Sequence, residues 1–129
     1  MISIRALKPD EFDDATDFIQ SIFPDAIIQF SDEDVVLLAE YQNSVVGFAH
    51  VVDDDERIII RGIGVANSMR GKGVGTLLLD HLLAIIGDDT RPIYLKVRYT
   101  NPAIDLYLRY GFLLKKFGPI SVLVRKQNN

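Results

Sequence analysis

The sequence predicts a single α/β domain built on a mixed sheet, and three observations carry that prediction. Three β-rich runs in the first half are separated by short polar turns, the pattern of an antiparallel meander. An isoleucine-rich run, a glycine loop, a leucine-rich helix and a further strand then follow in order, which makes a βαβ unit whose two strands should run parallel. A short helix and a closing hairpin around Gly118-Pro119 complete the chain. At 129 residues it has the length of one domain, since domains run to roughly 100–200 residues.

The elements follow from local chemistry. Ile2–Leu7 alternates apolar and polar residues and reads as a strand. Lys8-Pro9-Asp10-Glu11 starts a helix, because proline suits the first helical position and acids suit the positive end of the dipole. Phe12, Ala15, Phe18, Ile19, Ile22 and Phe23 recur at helical spacing, and Pro24 ends that helix or opens a second short one. Residues 25–34 are acidic and ambiguous. Val35–Tyr41, Val45–Val52 and Arg57–Val65 are the meander strands, with turns at Gln42-Asn43-Ser44 and Asp53–Glu56. Val74–Ile86 is so rich in leucine that it should lie on the sheet, closed by Gly87. Pro92–Val97 is a strand. Asn101 caps the last helix, Pro102 takes its first position, and Gly111 is its left-handed exit. Phe112–Phe117 and Ile120–Arg125 form the hairpin, whose edge could pair with a second copy to make a homodimer or pack inside one copy.

Composition narrows the function. About 48% of residues are apolar and 25% charged, ordinary globular usage. With no cysteine there is no disulfide, thiolate metal site or cysteine nucleophile. Two histidines, His50 and His81, are too few for a histidine-only metal site, so no metal is expected. No apolar run reaches the roughly 18 residues of a membrane span, and the N-terminus lacks a signal-peptide pattern, so a cytoplasmic protein is expected. The net charge of −4 hides an asymmetry: residues 1–56 carry 14 acids and two bases, residues 57–129 four acids and 12 bases. The overall acidity and the lack of a basic stripe interleaved with aromatics argue against nucleic acid.

Arg70-Gly71-Lys72-Gly73-Val74-Gly75-Thr76 lies between the isoleucine strand and the leucine helix. Glycines let backbone N–H groups approach a ligand, and a helix start adds unpaired N–H groups and a positive dipole end. The combination suits a phosphate or pyrophosphate, with charge from Arg70 and Lys72. It is not a P-loop, because Gly73 follows Lys72 and Ala66 stands where the first glycine belongs. Nor is it a dinucleotide fingerprint, because its third glycine comes one position early. A plain strand-to-helix turn would need fewer glycines and no flanking cations.

Arg70–Gly75 fits [QR]-x-x-G-x-[GA], and the chain here resembles the GCN5-related N-acetyltransferase (GNAT) superfamily, whose acyl-CoA signature this is. Asn101–Phe112 is similar to the family's N-x-x-A-x-x-L-Y-x-x-x-G-F segment, except that alanine falls at 103 and aspartate at 105. The two motifs stand in family order about 30 residues apart. The resemblance implies a largely antiparallel mixed sheet with a central splayed parallel strand pair and flanking helices, over the single domain 1–129. Gly62 and Gly64 would permit the bulge at which those strands part.

The same resemblance implies site roles. Ile63, Gly64 and Val65 match the strand that holds the pantetheine arm through backbone groups. Arg70, Gly71, Lys72, Gly73, Val74, Gly75 and Thr76 would wrap the pyrophosphate. Asn101 matches a position that contacts the CoA arm, beside its role as a helix cap. Tyr107 matches the general acid that protonates the departing thiolate and also contacts the cofactor, although spacing alone would place it in the core with Ala103, Leu106 and Tyr110. Many relatives place a glutamate before the loop as general base, but residues 57–61 read Arg-Ile-Ile-Ile-Arg. Glu56 falls in a turn, His81 on the flank of the leucine helix, and a lone histidine in a strand, such as His50, is more often structural. No base is assigned.

The implied function is acetyl-CoA-dependent N-acetyl transfer, direct from acetyl-CoA as donor to a primary amine of a small molecule, peptide or protein. The acidic first half, including Asp10–Asp17, Asp32–Asp34 and Asp53–Glu56, would steer a cationic acceptor. The alternative is a non-catalytic, CoA-binding regulatory module that acts through a partner protein.

Overall fold

A computed structural model describes residues 1–127. One seven-stranded sheet organises the domain. Its strands are β1 (Ser3–Ala6), β2 (Val35–Tyr41), β3 (Ser44–Asp54), β4 (Arg57–Val65), β5 (Ile93–Arg98), β6 (Leu113–Lys116) and β7 (Ile120–Arg125), in the spatial order β1-β2-β3-β4-β5-β7-β6. Every neighbouring pair is antiparallel except β4 and β5. Three helices flank the sheet: α1 (Phe12–Ile22), α2 (Val74–Ile86) and α3 (Ala103–Arg109).

Sequence alternation sorts the two faces. Ala39, Ala49, Ile58, Ile60, Ile93, Leu95 and Leu123 point to one side and share a core with Leu78, Leu79 and Leu82 of α2 and with Tyr107 and Phe112. Leu38 and Phe48 point to the other side and pack with Ile19, Phe18 and Ile22 of α1. Phe48 is the centre of this smaller core, with edge-on contacts to Phe18 and Phe23 at centroid distances of 6.4 and 6.1 Å. Gly64 lets its backbone lie against that ring: a Cβ there would stand 2.6 Å from Phe48 Cε1 and 3.0 Å from Phe23 Cε2. Both rings would have to shift to admit it, so Gly64→Ala should lower stability by about 1–3 kcal/mol in urea denaturation.

The parallel pair is short. Only Ile58–Ile60 of β4 pair with Ile93–Leu95 of β5. Beyond them β4 follows β3 as far as the Gly47–Val65 pair, and β5 follows β7 as far as Arg98–Ile120. The two central strands therefore diverge, and the facing edges of 61–65 and 96–98 are not joined to each other. The departure coincides with a bulge: His50 pairs with Gly62 and Val51 with Ile60, so Arg61 is an extra residue on β4, next to one of the glycines expected to allow it.

Several local expectations need correction. The turn expected at Asp53–Glu56 is confined to Asp55-Glu56, because β3 continues to Asp54, paired with Arg57. Arg91 fixes this end of the strand by binding both Asp53 and Asp89. The first helix opens with a 3-10 turn at Pro9–Glu11 and no second helix follows Pro24. Residues 25–34 instead pack Ala26, Ile28 and Phe30 over the α1-side core. The last helix begins one residue later than expected, at Ala103, yet Asn101 still caps it: its Oδ1 accepts the Ala103 N–H at 2.9 Å. The closing hairpin puts β7 inside the sheet and β6 at its edge, with all four β6 residues exposed. Among the described residues, no helix is long and apolar enough to cross a membrane.

Candidate active site

Where β4 and β5 part, a cleft of about 970 Å³ opens on the α1 side of the sheet. Its walls come from four directions. Ile19, Phe23 and residues 26–29 supply one side, Phe48 and His50 of β3 another, β4 and β5 the floor, and Asn101 and Tyr107 the far end. Of the residues singled out from sequence, the structure brings Ile63, Asn101 and Tyr107 together in this lining. Gly64 and Val65 continue the same strand away from it. The loop from Arg70 to Thr76 lies beyond the end of β4 and does not line the cleft.

The loop takes a backbone that glycine permits. Gly71 and Gly73 take φ of +75° and +82°, left-handed values that cost other residues roughly 1–2 kcal/mol. A Cβ at either position would meet nothing within 4 Å, so packing does not demand glycine there; conformation and approach do. Gly75 differs, since it lies within α2 and has room for an ordinary Cβ contact with Leu106 at 3.7 Å. Gly73 is the N-cap of α2 and no side chain caps that end. The first helix-closing bond runs from the Leu77 N–H to the Gly73 carbonyl at 3.0 Å. The amides of Val74, Gly75 and Thr76 are therefore orphan donors at a positive dipole end. Arg70 and Lys72 stand exposed beside them.

Tyr107 is 5% exposed, with its ring against Phe112 at a centroid distance of 5.7 Å. Its hydroxyl has no protein hydrogen bond among the described residues, yet it is not among the sealed, unsatisfied polar atoms. The phenol oxygen thus opens into the cleft. Burial pushes its pKa up to about 12, so it holds its proton across the physiological range. Tyr110, on the same helix, is occupied elsewhere: its hydroxyl donates to Asp80 of α2 at 2.7 Å.

His50 is the site residue that sequence reasoning set aside. Its Nε2 lies 2.8 Å from Asp34 Oδ2, both side chains are buried, and Phe30 covers the ring at 5.1 Å. Burial of Asp34 opposes its ionisation, but hydrogen bonds from His50 and from the Ser31 hydroxyl and amide outweigh that and hold the carboxyl below its ordinary value. Asp34 orients the ring through Nε2. Nδ1 makes no hydrogen bond among the described residues and, like the Tyr107 hydroxyl, is not sealed from solvent. Asp34 lies 16 positions before His50 in an acidic stretch with no periodicity, so no sequence signal linked the two. Glu56 and His81 do not line the cleft; His81 is exposed on α2 and bonds the Leu77 carbonyl at 3.0 Å.

The charged side chains of the lining are lysines and arginines. None of the acids of the first half, Asp10–Asp17, Asp32–Asp34 or Asp53–Glu56, lines the cleft. Asp34 is turned into the His50 contact, and the acids at 53 and 54 are engaged by Arg91 and Arg57. Among the described residues, no group of three or more His, Cys, Asp or Glu is placed to hold a metal ion.

Comparison with known proteins bears on the whole chain. The family model described as Acetyltransferase (GNAT) family matches residues 4–112. Solved structures of the same fold include ElaA from Escherichia coli, at 18% identity and a TM-score of 0.81, covering 98% of this chain and 100% of that one. PaiA N-acetyltransferase from Thermoplasma acidophilum, solved in complex with coenzyme A, is 14% identical with a TM-score of 0.79, covering 98% and 99%. NAA60 from Arabidopsis thaliana, solved in complex with acetyl-CoA, is 18% identical with a TM-score of 0.78, covering all of both chains. No curated protein matches the chain in sequence.

Proposed function

We propose that this chain, which belongs to the GNAT acetyltransferase family, catalyses direct transfer of an acetyl group from acetyl-CoA to a primary amine. The observation that carries the reading is the parting of β4 from β5 beyond Ile60 and Leu95, with Asn101 and Tyr107 in the lining of the cleft and an uncapped glycine turn past the end of β4. Strand edges freed by the divergence offer N–H and C=O groups of Ile63 and Val65 to the amides of the pantetheine arm, with Gly64 between them paired to Phe48. The amides of residues 71–76 and the cations Arg70 and Lys72 receive the diphosphate. Asn101 keeps its side-chain amide for the same arm while its oxygen caps α3.

Three protein groups then perform the chemistry. Backbone N–H groups near Val65 polarise the thioester carbonyl, so that the amine attacks a carbon whose developing oxyanion is already solvated. Tyr107, kept protonated by burial, donates its proton to the sulfur as the C–S bond breaks. Nδ1 of His50, oriented by Asp34, takes the proton that the amine must lose, directly or through one water. No covalent enzyme intermediate is required.

Calorimetry with acetyl-CoA followed by a thiol-release assay over an amine panel tests this reading, and no measurable coenzyme affinity would end it. A sharper check is Gly73→Val. A branched side chain at a left-handed N-cap must move the loop backbone or stand where the diphosphate lies. Acetyl-CoA affinity should fall by at least tenfold, whereas the melting temperature should drop by only a few degrees, because no packing contact is lost.

A further inference from the structure

We propose that the acceptor is an amine bearing several anionic groups, carboxylate or phosphate, which the basic floor of the cleft recognises; the proposal rests on the transferase reading above. Arg57, Arg61, Lys96, Arg98, Lys115 and Lys116 all line the cleft, and among the described residues no aspartate or glutamate does. The imbalance runs against composition, since the chain has 18 acids and 14 Lys and Arg. Strand geometry explains how the cations gather. Ile58, Ile60, Ile93 and Leu95 face the α2 core, so Arg57, Arg61, Lys96 and Arg98 emerge on the other face. A bulge between Leu114 and Lys116 brings two consecutive lysines to that face from β6.

Few of these charges are neutralised. Arg57 pairs with Asp54 at 3.3 Å and lies over the Tyr94 ring at 5.1 Å. Lys115 lies over the same ring at 4.9 Å and donates to its hydroxyl at 3.1 Å. Arg61, Lys96, Arg98 and Lys116 have no ion pair among the described residues. Like charges gathered in a concave site with apolar walls at Ile19, Phe23 and Phe48 focus a positive potential that an anion relieves. Arginine forks add bidentate geometry suited to carboxylate or phosphate. The coenzyme diphosphate does not account for this floor. Its turn begins past Val65, whereas Arg57 stands eight residues earlier, about 26 Å at roughly 3.3 Å per residue. The floor also helps the chemistry: cations nearby disfavour the ammonium form of the acceptor, which eases its deprotonation in a cleft without carboxylates.

The test compares peptides of equal length with a free α-amine followed by aspartate and glutamate, by phosphoserine, by glutamine or by lysine, at saturating acetyl-CoA. The acidic or phosphorylated peptides should exceed the glutamine peptide in kcat/KM by tenfold or more, mainly through KM, and the lysine peptide should rank last. Preference between the carboxylate and phosphate arms identifies which anion the floor takes. Lys96→Glu with Lys116→Glu should invert the order, and the milder Lys96→Gln should narrow it, with acetyl-CoA affinity unchanged within twofold. A wild-type protein that uses the lysine peptide as well as the acidic one overturns the proposal. So does an order that charge reversal leaves alone, or a reversal that weakens coenzyme binding tenfold without touching acceptor choice. Binding of the same peptides without coenzyme reads the floor by itself: acidic peptides that bind while acetyl-CoA does not would defeat the transferase reading and leave the floor standing, and acidic peptides that bind no better than lysine peptides would defeat the floor.

Discussion

Tyr107→Phe should lower kcat by about 10²–10³-fold while acetyl-CoA binds as tightly as before. The substitution removes one oxygen from a ring whose packing against Phe112 is untouched. That oxygen has no protein partner, so stability near pH 7 should change by no more than about 0.5 kcal/mol. The loss would therefore lie in the chemical step, where the thiolate departs without a proton. The same residue predicts alkaline behaviour. Its folded pKa, about 12, stands above the ordinary tyrosine value of 10.0, because burial penalises the phenolate. The stabilisation is complete below the unfolded value and is lost as pH rises from about 10 to 12, up to about 2–3 kcal/mol in all. Urea denaturation at pH 8 and pH 11 should show a smaller alkaline loss in Tyr107→Phe than in the wild type. Equal losses would mean that burial does not raise the pKa of this phenol in the folded protein.

His50→Gln should cost turnover about 10²-fold with little change in coenzyme affinity or fold. Glutamine can still donate an amide N–H to Asp34 and still fills the space beneath Phe30, but it offers no basic nitrogen to the cleft. Asp34→Asn should lose part of the same activity, since it weakens the hold on the His50 tautomer without removing the ring. If His50→Gln turns over at the wild-type rate while Tyr107→Phe does not, the proton leaves through solvent and His50 is a wall residue.

Local patterns made most of the fold legible. The alternation of Val35–Tyr41 and of Arg57–Val65, the leucines of Val74–Ile86 and the caps at Gly87, Asn101 and Gly111 each act over a few residues, and each stands where it was expected to within one or two positions. The site was legible where chemistry is written contiguously. The glycine turn and the Asn101–Phe112 segment are such runs; Asn101 and Tyr107 of the second line the cleft, and the first lies beyond the end of β4. What was not legible is pairwise and distant. His50 reads as an ordinary core residue until Asp34 is folded against it. The charge asymmetry along the chain gave no sign that six bases line one cleft.

The sequence by itself determined the order of elements, the mixed sheet and the place of the glycine turn between strand and helix, because backbone preferences and apolar spacing are local properties of the chain. Only the tertiary structure decided which charges face the cleft and which histidine nitrogen is free. Those depend on a one-residue bulge at Arg61 and on strand neighbours far apart in sequence, and a strand's period of two sends a side chain to the opposite face with every single-residue shift in register.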